Sequence, residues 1–166
     1  MQIIPLDQLR TDGGTQSRAA IDPVVVSEYA EAIAAGSVLP QPVAFFDGAT
    51  YWLADGFHRL AAHKQAGYPN VSTDVRQGDR RDAILYSLSA NAAHGLRRTP
   101  ADKRRAVETL LRDETWGAWS DREIARRCAV DGKTVAAVRS ELNCGNPQMT
   151  ERTVERGGTT YTMAVP

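Results

Sequence analysis

Hydrophobic and polar positions alternate in short blocks over the first ninety residues, and the spacing within each block predicts its element. Residues 2–9 (Gln-Ile-Ile-Pro-Leu-Asp-Gln-Leu) read as a short edge strand, because Pro5 lacks the amide that a central strand needs. Residues 10–20 are polar and glycine-containing, hence a loop. Asp22-Pro23 then supplies an N-cap and a first-turn proline; Val26, Tyr29, Ala30 and Ile33 recur at helical spacing, and Gly36 closes the helix. Residues 42–46 and 50–53 flank Asp47-Gly48, a hairpin signal. A helix opens near Phe57 and runs to Gly67, with Asp55 as its cap. A short strand over 71–75 follows, then a helix begun by Asp79 and Asp82 that extends to about Ala90.

After Asn91 the pattern becomes all helical. Thr99-Pro100-Ala101-Asp102 gives a cap, a first-turn proline and a third-position carboxylate, and Val107, Leu110 and Leu111 form the apolar side. Ser120-Asp121-Arg122-Glu123 reads as a full capping box. The expected organisation is a mixed α+β domain over 1–91, a helical domain over 92–143, and a flexible or partner-dependent tail over 144–166. In that tail, residues 159–163 have strand character that needs a partner.

Residues 120–142 carry the spacing of a helix-turn-helix. Ala125 is small where two helices cross, Ala129 stands at the turn position that commonly holds glycine, and Val130 follows as a buried turn residue. Asp131 caps the second helix, whose Val135 and Val138 face inward. The expected DNA contacts are Arg122, Arg126, Lys133, Thr134, Ala137 and Arg139. The second helix is poor in side chains that read base edges, so modest, salt-sensitive binding to phosphates is expected.

The stretch 52–67 (Trp-Leu-Ala-Asp-Gly-Phe-His-Arg-Leu-Ala-Ala-His-Lys-Gln-Ala-Gly) is the richest in chemistry. An apolar strand turns through Gly56 into a helix with Arg59 in its first turn. Unpaired amides, the positive end of the helix dipole and the donors of His58 and Arg59 suit an anion, a phosphate above all.

Composition narrows the classes. Twenty Lys and Arg balance twenty Asp and Glu, so any attraction for nucleic acid must come from local patches. Cys128 and Cys144 match no metal spacing or disulfide framework, and His58, His63 and His94 are too scattered for a zinc motif. Neither a signal peptide nor a long apolar span is evident, which leads to the expectation of a cytoplasmic, nucleoid-associated protein with no membrane partner.

Residues 54–62 (Ala-Asp-Gly-Phe-His-Arg-Leu-Ala-Ala) resemble the GERR-x-RAA box of ParB-type proteins, and more closely the DG-x-HR variant of the wider ParB/sulfiredoxin fold. In order along the chain, Thr15-Gln16-Ser17-Arg18 resembles an Arg-containing segment near the nucleotide, and residues 39–43 resemble the LLQPI segment. Residues 90–94 occupy the place of EN-x-x-R, and 96–111 resemble the helix that leads into the helix-turn-helix. The resemblance implies a ParB/sulfiredoxin-like domain that binds nucleotide phosphates (CTP or ATP) through Arg18, Gln41, Gly56, Phe57, His58, Arg59, Asn91 and His94. It also implies DNA as partner, and a homodimer. Phe57 stands where sulfiredoxin has its cysteine, which excludes that chemistry. Ala90 replaces the magnesium-binding Glu and His94 the Arg of EN-x-x-R; Asn91 alone is left as a metal ligand, so the resemblance supports phosphate binding more strongly than a CTPase-like, Mg2+-assisted hydrolysis, which stays open. The alternative readings are a phosphotransferase of the same fold, with Asp55 or His58 as the base and Arg59 as the stabiliser, and a nuclease, which requires clustered carboxylates for a metal.

Overall fold

A computed structural model describes residues 1–18, 20–90, 97–143, 151–156 and 159–164. The chain divides into two compact units, Met1–Ala90 and Asn91–Pro166.

The first unit is built on a five-stranded mixed sheet. Its strands are β1 (Gln2–Pro5), β2 (Leu9–Arg10), β3 (Val43–Phe46), β4 (Tyr51–Asp55) and β5 (Asn70–Gln77), in the order β1-β5-β3-β4-β2. The predicted single strand over 2–9 is therefore two. Pro5 and a 3-10 turn at Leu6–Gln8 break it, and the halves lie on opposite edges, β1 antiparallel to β5 and β2 parallel to β4. The hairpin of β3 and β4 forms as the Asp47-Gly48 signal predicts. Asp47 Oδ1 accepts from the amides of Ala49 and Thr50, and its Oδ2 accepts from the Trp52 indole.

Strand alternation sends successive side chains to opposite faces. Ala44 and Leu53 join Phe57, Leu60 and Val71 on one face, under helix α2 (Phe57–Gln65). Val43, Phe45 and Ala54 join Ala83 on the other, under α3 (Arg80–Ser89). Helix α1 (Pro23–Ala34) lies on α2 through Val26, Ala30, Ile33 and Ala62. The layers run α1, α2, sheet, α3. Asp22 and Asp79 cap α1 and α3 as the sequence predicts.

The second unit packs α4 (Pro100–Leu111), α5 (Asp121–Cys128) and α6 (Gly132–Asn143) around Val107, Leu110, Ile124, Cys128 and Val135, all fully buried. Thr99 and Asp102 form a reciprocal capping box on α4. At α5 only half of the expected box is present. Ser120 accepts from the Glu123 amide, while the Glu123 carboxylate accepts from Arg126 and Arg127. Segment 159–163 finds its strand partner within the chain: β7 (Thr159–Ala164) pairs antiparallel with β6 (Glu151–Arg156).

Ala129 ends α5 at φ 49° and ψ 54°, the left-handed region that disfavours a side chain. Replacing it by glycine removes that strain, against a smaller loss from the freer unfolded chain. Ala129→Gly is expected to stabilise the protein by about 0.5–1 kcal/mol, read as a rise in Tm; a fall in Tm would refute the account of the turn.

Candidate phosphate site and nucleic-acid face

The β4–α2 turn is fixed by Gly56. It adopts φ 96°, and a Cβ there would lie 2.9 Å from Pro42 Cα and 3.3 Å from Arg59 Nε. No side chain can be accommodated without moving backbone. Gly56, rather than Asp55, is the N-cap, and no side-chain oxygen caps the helix. Asp55 ends β4 and turns to Arg59, which corrects its expected capping role. The first amides of α2 thus have no side-chain acceptor from a cap, the arrangement that attracts anions.

Arg59 is held in place. Its Nη1 donates to the carbonyls of Pro40 (2.7 Å) and Gln41 (2.9 Å), and its Nη2 to Asp55 Oδ2 (2.7 Å). The ion pair is largely buried, with 14% and 19% of the two side chains exposed. The guanidinium expected to face a ligand instead ties the end of β4 and the 40–41 loop to α2. Of its five donors, three are committed in this way.

His58 is buried, and its Nε2 accepts the Asp22 amide at 2.9 Å. That nitrogen carries no proton, so His58 joins the start of α1 to the start of α2 and does not offer that nitrogen as a donor to phosphate. The Phe57 ring is in the core, which leaves only its amide for a ligand. Gln41 donates through Nε2 to Ser72 Oγ. The Arg18 amide donates to Gln16 Oε1. Asn91 and His94 lie outside the described residues. Among the described residues, no three His, Cys, Asp or Glu side chains gather as a metal site would require.

On the helical unit, α6 turns Val135 and Val138 inward and Lys133, Ala136, Ala137 and Ser140 outward. Thr134 is half-buried. Asp131 Oδ1 accepts from the Lys133 amide, as a capping residue should. Arg122 and Arg126 are exposed on α5, Arg126 with a two-pronged bond to Glu123. Those bonds, first of all that of Arg126, hold the Glu123 carboxyl below its usual pKa. Arg139 departs from expectation. It is 5% exposed and bonds Asp121 Oδ1, the Gly117 carbonyl and the Trp119 carbonyl at 2.7–2.8 Å. It is an internal clip rather than a DNA contact. Helical spacing could have signalled this, since position 139 falls beside Val135 and Val138. Burial pushes the Cys128 thiol up to about 12, so it behaves as an apolar filler.

The match to the ParB N-terminal domain model spans residues 1–92. This chain belongs to the ParB N-terminal domain family. It is 33% identical over 119 residues to a possible regulatory protein of the streptomycin biosynthesis operon of Streptomyces griseus, covering 72% of this chain and 33% of that protein. It is 31% identical over 93 residues to the transcriptional regulator NovG of Streptomyces niveus, covering 56% of this chain and 29% of the relative. The chain therefore spans about a third of the length of these curated relatives. The crystal structure of C-terminally truncated ParB from Caulobacter crescentus, complexed to the centromeric parS site, matches at TM-score 0.55 and 17% identity. That match covers 86% of this chain and 72% of that one. The fold is the expected α+β, ParB/sulfiredoxin-like arrangement followed by helices. Among the described residues, no helix is long and apolar enough to cross a membrane.

Because Arg59 is structural, its removal acts without any ligand. Arg59→Ala removes an ion-pair partner of Asp55 and the guanidinium bonds of two carbonyls, and is expected to cost about 2–4 kcal/mol. Thermal melts of the ligand-free protein should show a clear fall in Tm. An unchanged Tm would mean that the guanidinium does not hold the turn together.

Proposed function

We propose that this ParB-family chain is a DNA-binding regulator. Helices α5 and α6 act as its helix-turn-helix, and the opening of α2 receives the phosphates of a nucleotide, CTP or ATP. The observation that carries the DNA reading is the outer face of the helix pair. A left-handed turn at Ala129 joins two short helices and leaves α6 with a small, cation-bearing outer surface, while α5 exposes Arg122 and Arg126. Small side chains let a helix approach a groove closely, and the flanking cations suit phosphates. The naming of one relative as a transcriptional regulator, and the parS complex of a structural neighbour, point the same way.

The nucleotide reading rests on Gly56, on the uncapped amides of 57–59, and on membership of the family. It differs from the sequence expectation in its donors: backbone amides do the binding, while Arg59 and His58 hold the backbone in place. This arrangement favours binding over phosphotransfer. Asp55 Oδ2 is engaged by Arg59 and His58 Nε2 by the Asp22 amide, so neither atom is placed as a general base. A soluble, nucleoid-associated homodimer is the assembly this function calls for, and sedimentation of the full chain would give its oligomeric state.

DNA binding is expected to be salt-dependent. Three phosphate contacts per protomer, from Arg122, Arg126 and Lys133, give a slope of about −2.7 and a roughly 40-fold loss between 50 and 200 mM salt. Lys133→Ala should reduce that slope by about one, read by fluorescence anisotropy on duplex DNA. No binding at 50 mM salt would overturn the DNA reading.

A nucleotide that binds only the folded state must raise Tm. Melts with CTP, ATP or inorganic phosphate, each with and without Mg2+, test this. CTP or ATP at about 100 Kd should stabilise by about 2.7 kcal/mol. No shift with either nucleotide at millimolar concentration would overturn nucleotide binding and leave the DNA reading standing.

A further inference from the structure

Arg139 is the one cation on the buried side of α6. Its neighbours on that side, Val135 and Val138, are apolar and almost wholly buried. A guanidinium enters such a place only when its donors are matched. Here Nε reaches Asp121 Oδ1 at 2.7 Å, Nη1 the Gly117 carbonyl at 2.8 Å and Nη2 the Trp119 carbonyl at 2.8 Å. All three acceptors belong to one short stretch, residues 117–121. That stretch comprises the segment leading into α5 and, at Asp121, the first residue of α5 itself.

The fork is planar and rigid, so three bonds from one guanidinium constrain more than distance. They fix how far α6 is turned about its own axis and how far along that axis it sits relative to the start of α5. The outward residues Lys133, Ala136, Ala137 and Ser140 are carried by the same helix. The apolar contacts of Val135 and Val138 resist a large rotation of α6, but they are not directional and yield to a small one. The same rotation would break the Arg139 bonds. Apolar packing therefore holds α6 in place, and Arg139 sets its angle.

We infer that Arg139 is a positioning residue for sequence discrimination. By clamping α6 to residues 117–121 it aims the few groups of the outer face that can meet base edges, Lys133, Ser140 and the methyls of Ala136 and Ala137, at duplex DNA, without touching DNA itself. This rests on the DNA reading given above. Phosphate contacts come from flexible exposed side chains and tolerate a small misalignment. Contacts to base edges do not. Loosening the clip thus separates the two kinds of binding.

The test uses the full chain and a duplex that the wild type selects from a random-sequence pool, against a scrambled duplex of equal length and composition. Arg139→Lys keeps the charge and loses the fork. Its preference for the selected duplex should fall at least tenfold. Its affinity for the scrambled duplex and its salt slope should stay within about twofold of wild type. A role in folding alone would lower both affinities together. Asp121→Asn, which removes the ionic partner but keeps an acceptor oxygen, should shift the preference in the same direction by less, and serves if circular dichroism shows that Arg139→Lys does not fold. An undiminished preference in the folded variant, or parallel loss on both duplexes, overturns the inference and leaves the DNA reading intact. A wild type that binds the pool but enriches no sequence overturns the inference and leaves the DNA reading standing, whereas a wild type that binds no duplex at 50 mM salt overturns both.

Discussion

Arg59 holds the first unit together at the point where its chemistry would lie. Three segments meet there: the end of β4, the 40–41 loop that feeds β3, and the first turn of α2. From the first turn of α2, a single guanidinium bonds the other two, through Asp55 and the carbonyls of Pro40 and Gln41. The close approach exists because Gly56 has no side chain; a Cβ would collide with Pro42. With β4 ending in Asp55 and α2 beginning at Phe57, the turn has a single intervening residue. His58 adds a second constraint, because the Asp22 amide that starts α1 is bonded to its ring. The opening of α2 is therefore preorganised by side chains from its own first turn.

The helical unit solves a similar problem with the same residue type. Its core combines Trp116, Leu110 and Ile124 with smaller apolar side chains, whose contacts are not directional. Directional bonds supply the missing constraint. Arg139 clamps α6 to residues 117–121, Arg98 donates to the Cys128 carbonyl at the end of α5, and Arg104 joins Glu108 of α4 to Glu141 of α6. Arg127 lies 4.8 Å from the centre of the Trp119 ring while also bonding Glu123. Much of the basic charge of this half is thus internal scaffolding.

Element types were legible in the sequence where capping and periodicity agreed. Asp22-Pro23, Asp79 with Asp82, and Thr99 with Asp102 place three helix starts correctly, because each cap satisfies amides that nothing else local can reach. The DG-x-HR box led to the family, and the chain belongs to it. The individual roles of its side chains were less legible. A carboxylate ahead of a helix has two equally local partners, the helix amides or an arginine four residues on, and the sequence does not encode which is nearer. Asp55 took the arginine. Ser120 and Glu123 show the same competition, with two arginines drawing the glutamate away from its capping amide. Strand 2–9 was misread because Pro5 was given an edge role without the break that follows it. Asn91 and His94, carried over from the family motif, fall outside the described residues.

The division of labour among cations has a consequence for specificity of binding. Of the basic residues proposed on the DNA face, Arg122 and Lys133 are exposed and, among the described residues, form no ion pair. Arg126 is 66% exposed but held by Glu123. Exchanging that partner for a phosphate costs little, since the Arg126 end of the pair is in water and Glu123 keeps Arg127. Arg139 cannot make this exchange, because it is almost wholly buried and would have to give up three bonds, to Asp121 and to two carbonyls. A chain with no net charge can thus still meet a polyanion, provided that its acids sit beside the cations that build the fold and a few cations stay outside that network.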